Sequence, residues 1–432
     1  MNDTPSITLR GGRLIDPANH IDEVADLHIA DGKVQAVGAA PEGFRAEILL
    51  NASGRVVCPG LIDLSARVRE PGLEHKATIA SETAAAARAG ITTLCCPPDT
   101  DPVIDTPAVA TLIRRRAQHL GHARLIPLGA LTQGLRGEQL SEMAALKAAG
   151  CAALSNAMAP IRNTLVLRRA LEYATTFELP VMLHPEDADL HDHGCIAEGR
   201  VSTRLGLPGV PEAAETVAIA RDAALAEHSG ARIHFRGLSS GTGARMLGRL
   251  RFDNPRISAD TAIHHLFLTE MDVDGFNALC HVQPPLRTGS DRDALRDAVG
   301  RGVISALCSD HQPHEPDAKN APFQETAPGI SGLDTLLPLL LKLVDEGVLD
   351  LPDAIARVTS GPADILRLPL GRLNPGAPAD VCVFDPGAHW ILGADTLASR
   401  GHNTPFMGWE FRGRVTHTLL DGRIVHSEGP LP

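Results

Sequence analysis

Short apolar runs alternate with amphipathic helical patterns between residues 59 and 367. The apolar runs are rich in residues that favour strands, and the segments between them have the period expected of helices. Eight strands are predicted, beginning near residues 59, 91, 124, 152, 180, 232, 256 and 304. This alternation is typical of βα units around a parallel sheet, so the chain is predicted to be α/β with a (β/α)8 TIM barrel. A functional site is then expected at the carboxyl ends of the strands.

Helices are predicted over residues 106–120, 138–150 and 211–230. The last of these begins with Pro211 and ends with Gly230, the residues that favour the start and the end of a helix. These helices would cover the outside of the barrel.

The two ends of the chain have a different pattern. Residues 1–58 and 368–432 contain short strands joined by Asp31-Gly32 and Asp421-Gly422, a dipeptide that favours tight hairpin turns. We therefore predict a small β-sandwich domain built from both termini, with the barrel of residues 59–367 inserted between its halves.

Composition narrows the classes of function. The 432-residue chain has 44% hydrophobic and 21% charged residues, as in a soluble globular protein. A net charge of -12 and an aromatic content of 3% argue against nucleic acid as a partner. Eight scattered cysteines without a C-x-x-C pair indicate a reducing compartment. No signal sequence or apolar span is recognised, so we expect a cytoplasmic protein without membrane contact.

The segment PGLIDLSARVREPGLEHKATI at residues 59–79 resembles the first barrel strand of the dihydroorotase branch of the amidohydrolase superfamily. In that family the strand ends Asp-x-His-x-His-x-Arg, and the two histidines share one face and bind zinc. This chain has Asp63, but Ser65 and Arg67 stand in the two histidine positions. A guanidinium has no free lone pair and stays protonated, so Arg67 cannot bind a cation.

The resemblance covers essentially the whole chain and extends to the other metal positions. Asn156 stands where the family has a bridging carboxylate, and Gly237 stands at a metal histidine, with His234 on the opposite strand face. Only His184 and Asp310 are of the ligand type, whereas catalytic zinc normally has three protein ligands. We therefore expect no zinc, no other cofactor and no catalytic residue. The positions at which ligands are lost are Ser65, Arg67, Asn156 and Gly237.

The resemblance also implies a substrate pocket. Arg69 and His314 match substrate-binding positions, and the loop APGISGL at 327–333 is intact, whereas Asp99 and Gln283 replace asparagines. These residues form either a relic pocket or a working pocket for an anionic ligand. If Arg67 points into the barrel mouth, we expect it to pair with Asp310, since an unpaired buried carboxylate is costly.

The histidines and cysteines outside these metal positions can be explained without a metal. His191 and His193 lie in a polar segment and are expected to be solvated. His264 and His265 are adjacent, so their side chains diverge, and packing is expected. A replacement thiolate site for zinc stays open, although free cysteine is more often a buried small hydrophobe. The cysteines concerned are Cys58, Cys95, Cys96 and Cys308.

The resemblance is closest to the non-catalytic dihydroorotase homologues that associate with bacterial aspartate carbamoyltransferase. It implies an inactive homologue, not an enzyme, that acts as an assembly subunit for the catalytic chains of that transferase in de novo pyrimidine biosynthesis. A hetero-oligomer is expected, with a homodimer as a further assembly.

Two alternatives remain open. One is an active amidohydrolase, a dihydroorotase or related cyclic amidase, with a reduced or atypical metal site in which Asp310 would be catalytic. The other is a ligand-binding sensor of pyrimidine precursors.

Overall fold

The structure is a computed structural model that describes residues 4–429. Its strands, in chain order, are β1 (Ile7–Asp16), β2 (Ile21–Ala30), β3 (Lys33–Val37), β4 (Ile48–Asn51), β5 (Val56–Pro59), β6 (Leu61–Asp63), β7 (Ile91–Cys96), β8 (Arg124–Pro127), β9 (Gly129–Ala130), β10 (Leu154–Ser155), β11 (Val181–Leu183), β12 (Ile196–Ala197), β13 (Gly209–Val210), β14 (Ile233–Phe235), β15 (Ile257–Ala262), β16 (Ala306–Cys308), β17 (Val381–Ile391), β18 (Glu410–Leu420) and β19 (Arg423–Ser427).

The helices are α1 (Ile79–Arg88), α2 (Pro107–Leu120), α3 (Met143–Ala148), α4 (Thr164–Thr176), α5 (Ala188–His191), α6 (Arg200–Leu205), α7 (Glu212–Ser229), α8 (Gly241–Asp253), α9 (Gly289–Gly300), α10 (Leu336–Asp345), α11 (Leu351–Arg357) and α12 (Ser360–Leu366). Within residues 4–429, none of them is long and apolar enough to cross a membrane.

Parallel strands form the barrel, and each of the eight predicted strands is present. β6, β7 and β8 pair in one arc, while β9, β10, β11, β14, β15 and β16 pair in the other, with β8 and β9 belonging to one interrupted strand. The barrel closes through backbone bonds beyond the ends of β16 and β6. His311 N donates to Ser65 O at 3.1 Å, and Arg67 N donates to His311 O at 2.9 Å. The predicted TIM barrel is confirmed.

The two ends of the chain meet in one eight-stranded sheet. Its order is β19-β18-β17-β5-β1-β2-β3, with β4 paired to β1. Both Asp-Gly turns adopt left-handed backbone angles, with φ of 52° and 73° at Asp31 and Gly32 and of 47° and 73° at Asp421 and Gly422. Positive φ at both central residues defines the type I′ hairpin turn that the dipeptide predicts.

The predicted helices α2 and α7 are present, but α3 is shorter than expected. It begins at Met143 rather than near residue 138. The preceding residues form a short antiparallel pairing instead: Gln133 N donates to Gln139 O at 2.8 Å, and Ser141 N donates to Leu131 O at 3.0 Å. The helical pattern therefore overestimated this element, because residues 139–141 fold back on residues 131–133.

The inward faces of two barrel strands, β11 and β16, lead to the mouth of the barrel. Met182, Ala306 and Cys308 belong to the apolar cluster inside the barrel. Since alternate strand residues share a face, the inward faces continue to His184 and Asp310 just beyond these strands. The mouth of the barrel is therefore the place to look for a site.

Candidate functional site

Arg67 lies at the mouth between two carboxylates. Its side chain is 4% exposed, its Nε donates to Asp99 Oδ2 at 2.7 Å, and its Nη1 donates to Asp310 Oδ1 at 3.3 Å. The predicted Arg67–Asp310 pair is confirmed. The shorter contact, to Asp99, was not predicted.

A second arginine, Arg236, completes the network. Its Nη2 donates to Ser65 Oγ at 2.6 Å and lies 3.9 Å from Asp310 Oδ1. Ser65 Oγ in turn donates to Asp310 Oδ1 at 2.8 Å. Sequence reasoning examined His234 and Gly237 and missed Arg236, although a signal was present. Arg236 follows the inward-facing His234 by two residues, which places both on one strand face.

We call Ser65, Arg67, Asp99, Arg236 and Asp310 the metal side of the mouth. Burial would raise the pKa of Asp310, but Arg67 and Arg236 hold it well below its ordinary value. Burial also opposes ionisation of Asp99, and Arg67 again lowers its pKa. Two guanidiniums thus stabilise the Asp310 carboxylate, which is 13% exposed, and the Asp99 carboxylate, which is 28% exposed. A carboxylate withdrawn from water is tolerated when such a partner is present.

The residues on the metal side do not fit the two-zinc centre that the resemblance implies. Arg67 and Arg236 bring positive charge to Asp310, one of the two remaining ligand-type residues. The other, His184, has its Nε2 3.4 Å from Glu186 Oε2. Across residues 4–429, no three His, Cys, Asp or Glu side chains form a group that could hold a metal ion.

The other two lost positions have local roles. Asn156 Oδ1 accepts a bond from Thr132 Oγ1 at 2.8 Å, and its Nδ2 donates to Ala159 O at 2.7 Å. Gly237 has φ of +64°, and its N donates to Asp260 Oδ1 at 2.6 Å. His234, predicted to face away from position 237, bonds Asp260 Oδ2 at 3.0 Å.

The cysteines at the mouth do not offer thiolates. Burial raises the pKa of Cys96 to about 12 and also raises the pKa of Cys95 and Cys308. Cys58 lies instead in the β domain, opposite Cys382 on the neighbouring strand. Because zinc binds the thiolate form, these environments do not favour a replacement thiolate site.

Arg69, Lys76 and His314 form what we call the substrate side. Arg69 Nη2 lies 3.0 Å from His314 Nε2, and Lys76 Nζ lies 3.2 Å from His314 Nδ1. Burial, Arg69 and Lys76 lower the pKa of His314 to about 3, so its ring is neutral near pH 7. Arg69 Nε donates to the backbone O of Pro313 at 3.0 Å. The structure therefore brings Arg69 and His314 together, as predicted, in a cationic setting that suits a carboxylate.

The space within the mouth is small. One cavity lies beside Arg69 and Asp99, a second beside Arg236, Gln283 and Asp310, and each has a volume of about 10 Å³. A cavity of this size holds one water. Gln283 Nε2 is bonded to Glu186 Oε1 at 3.1 Å. Ion pairs and side chains thus fill most of the mouth.

The other predicted histidines also have partners in the protein. His264 and His265 are buried, in agreement with a packing role. Their side chains do not diverge as predicted, because the ring centroids lie only 4.6 Å apart. His191 was expected to be solvated, but its Nδ1 lies 3.0 Å from Glu186 Oε2. That contact raises the pKa of His191, because the carboxylate favours the charged ring.

Solved structures share the architecture of this chain. A parallel eight-stranded barrel with a β domain formed by both ends of the chain is shared with L-hydantoinase from Arthrobacter aurescens, at a TM-score of 0.88 and 21% identity, covering 99% of this chain and 97% of that one. D-hydantoinase matches with a TM-score of 0.82 and 24% identity, covering 98% and 96%. The fold is therefore the one seen in these hydantoinase structures.

The sequence comparisons then identify the family. A family profile described as "Dihydro-orotase-like" matches residues 54–241. The "Dihydroorotase-like protein" of Pseudomonas aeruginosa is 51% identical over 421 residues, covering 98% of this chain and 99% of that protein. The "Dihydroorotase" of Syntrophotalea carbinolica is 43% identical over 420 residues, covering 97% and 99%. This chain belongs to the dihydroorotase-like family.

One prediction needs correction. The chain was predicted not to be an enzyme, yet relatives that are 40% to 43% identical are named dihydroorotase. The comparisons therefore point to an enzyme. The prediction was wrong because it inferred activity solely from the number of metal ligands, whereas family membership rests on the whole chain.

Proposed function

We propose that this dihydroorotase-family chain acts in pyrimidine biosynthesis as an assembly subunit for the catalytic chains of aspartate carbamoyltransferase. This role uses the surface of the protein and does not depend on ring hydrolysis at the barrel mouth.

The observation that carries the proposal is the contrast between an intact barrel and a rebuilt metal side. All eight strands are present and the barrel closes, while Arg67 and Arg236 occupy the surroundings of Asp310. A scaffold of this size can form an interface of about 800 Å² per partner and still keep most of its surface in water. The named partner comes from the resemblance to transferase-associated homologues.

Co-expression with the transferase from the same genome tests this proposal. We expect the two chains to elute together at micromolar concentration, with a mass by light scattering above that of either chain alone. We also expect the transferase to lose activity when this chain is omitted. Separate elution, with a transferase that is equally active alone, would overturn the proposal.

The second candidate function is hydrolysis of a cyclic amide of the dihydroorotate class, which the names of the relatives favour. Arg69 and His314 would bind the substrate carboxylate, and Arg67 and Arg236 would supply positive charge next to the reacting carbonyl. Asp310 is the remaining carboxylate that could hold a proton during ring opening. Its lowered pKa makes it a weak base, so we assign only slow turnover to this site.

Ring opening of dihydroorotate, followed by chromatography with and without a chelator, tests the second candidate. This candidate predicts turnover that survives chelation and is lost in Asp310→Asn, while the surface variant Arg115→Met keeps it. Turnover no faster than in buffer would exclude it. Binding of carbamoyl aspartate without turnover would instead favour a sensor of pyrimidine precursors.

A further inference from the structure

A cavity of about 280 Å³ lies between the barrel and the β domain. It is lined by the end of α1, the beginning of α10 and residues of β17, β18 and β19, and we call it the junction cavity. None of its lining residues lines the small cavities of the mouth. Ligand sites occur preferentially at such domain boundaries.

The floor of the junction cavity is apolar and includes an anchored aromatic ring. Leu337, Trp390 and Val415 contribute to it. Trp390 Nε1 donates to Gly413 O at 3.0 Å, and the indole lies 5.6 Å from the ring of Phe411. The indole is therefore held in place by both contacts and offers a flat apolar wall to a planar group.

The charged groups at the cavity leave one cation without a counterion. Arg414 pairs with Glu428 at 2.9 Å. The Asp334 carboxylate accepts bonds from Ala398 N at 2.9 Å and Ser399 N at 3.2 Å. Arg88 makes no ion pair or side-chain hydrogen bond with any residue in 4–429. Burial is the main cause of the lowered pKa of His426, and the positive charge of Arg88 is the second. Arg88 therefore lies close to that ring.

The size of the cavity limits the ligand. An apolar protein cavity of about 150 Å³ holds benzene, so this one has room for a single ring with a small substituent. A nucleotide would be too large. An apolar wall next to an unpaired guanidinium suits an amphipathic anion, because the ring can be buried while the carboxylate meets the charge.

We propose that the junction cavity binds a small planar organic anion, a single ring that carries one carboxylate, with the ring on Trp390 and the carboxylate at Arg88. This site is separate from the mouth and does not depend on the proposed function.

Fluorine NMR titration of the full chain with 4-fluorobenzoate tests the proposal, and 4-fluorobenzamide serves as the neutral isostere. We expect 4-fluorobenzoate to bind about fivefold more tightly than the amide, and Arg88→Met to weaken its binding by about the same factor. Because Arg115 is an exposed arginine on α2, Arg115→Met is the matched control and should leave the affinity unchanged. Thermal unfolding of each variant checks that it is folded.

Three outcomes would overturn the proposal. Equal affinity for the two probes would show that the carboxylate is not recognised. An equal loss in Arg88→Met and Arg115→Met would indicate a general charge effect. Weaker binding in Arg69→Met with no change in Arg88→Met would place the anion at the barrel mouth instead.

Discussion

The metal side and the substrate side of the mouth lie next to each other, yet their arginines have different kinds of partner. On the metal side, Arg67 faces the carboxylates of Asp99 and Asp310. On the substrate side, Arg69 faces a backbone carbonyl and the neutral ring of His314. One arginine is therefore paired directly with two carboxylates, whereas the other has no carboxylate in direct contact among the described residues.

This difference shows how charged side chains can be accommodated at the mouth of a folded barrel. A carboxylate that is largely withdrawn from water and holds no metal needs another positive neighbour. Arg67 and Arg236 meet that need for Asp310. On the substrate side, Arg69 contacts neutral groups and makes no ion pair within the part of the chain that the structure describes.

The largest expected effect is that of Arg67→Met. This change leaves Asp310, which is 13% exposed, and Asp99, which is 28% exposed, without their principal cation. We therefore expect the free energy of unfolding to fall by about 3 kcal/mol, the low end of the range for a buried pair. Denaturant unfolding measures it. The control Arg169→Met breaks an exposed pair with Glu172 and should cost less than about 1 kcal/mol. A loss for Arg67→Met as small as that of the control would contradict the pairing of Arg67 with these carboxylates.

The two sides should also lose stability in different pH windows. His314 has a pKa of about 3 in the folded protein and about 6.5 when unfolded, so the unfolded chain binds more protons between these values. Its contribution to stability therefore decreases as pH falls from about 6.5 towards 3. The pKa of Asp310 is lowered by folding, so its contribution is lost only below the unfolded value of about 3.9.

His314→Gln should reduce the slope of unfolding free energy between pH 6 and 4 by at most about 1.4 kcal/mol per pH unit. Denaturant unfolding at a series of pH values gives this slope. The exposed His402→Gln is the matched control and should leave it unchanged. If both variants have the wild-type slope, His314 does not control stability in this window.

Arg69→Met should have a smaller effect than Arg67→Met, although the two arginines are neighbours. Its contacts are with neutral groups, and burial together with Arg67 lowers its pKa to about 10. We expect a loss of about 1 kcal/mol or less in unfolding free energy, together with weaker binding of any anion at the mouth. A loss equal to that of Arg67→Met would remove the distinction between the two sides.

The smallest expected effect is that of zinc. We expect well under one equivalent of zinc by elemental analysis of the purified protein, and no change in melting temperature after chelation. Ser65→His combined with Arg67→His should still not restore a two-metal centre, because Asn156 and Gly237 supply no ligand. One or more tightly held equivalents in the unmodified chain would refute this expectation.

Local signals predicted much of the fold. The turns at Asp31-Gly32 and Asp421-Gly422 depend on residues with an intrinsic preference for positive φ, and the strands depend on short-range periodicity. The start of α3 was mispredicted because residues 139–141 fold back on residues 131–133 and pair with them instead of joining the helix. The Arg67–Asp310 contact followed from the positions of both residues at strand ends.

The partners of Arg67 and Arg236 could not be predicted in full, because the sequence pattern does not specify which side chains meet in the folded protein. Arg67 could reach Asp310 alone or bridge to Asp99, and only packing around the guanidinium decides between them. Arg236 could have been suspected from its spacing to His234. Its contact with Ser65 joins residues 171 positions apart, which local periodicity cannot reveal.

The sheet that joins the two ends of the chain has a consequence for synthesis on the ribosome. β5 ends at Pro59, and its partner β17 begins at Val381. At 5–20 residues per second, the roughly 320 residues between them take about 16 to 64 s to emerge. During that time the nascent chain carries β5 with one edge unpaired, open to strands of other chains. The sheet that contains β5 is thus completed only after the barrel has emerged.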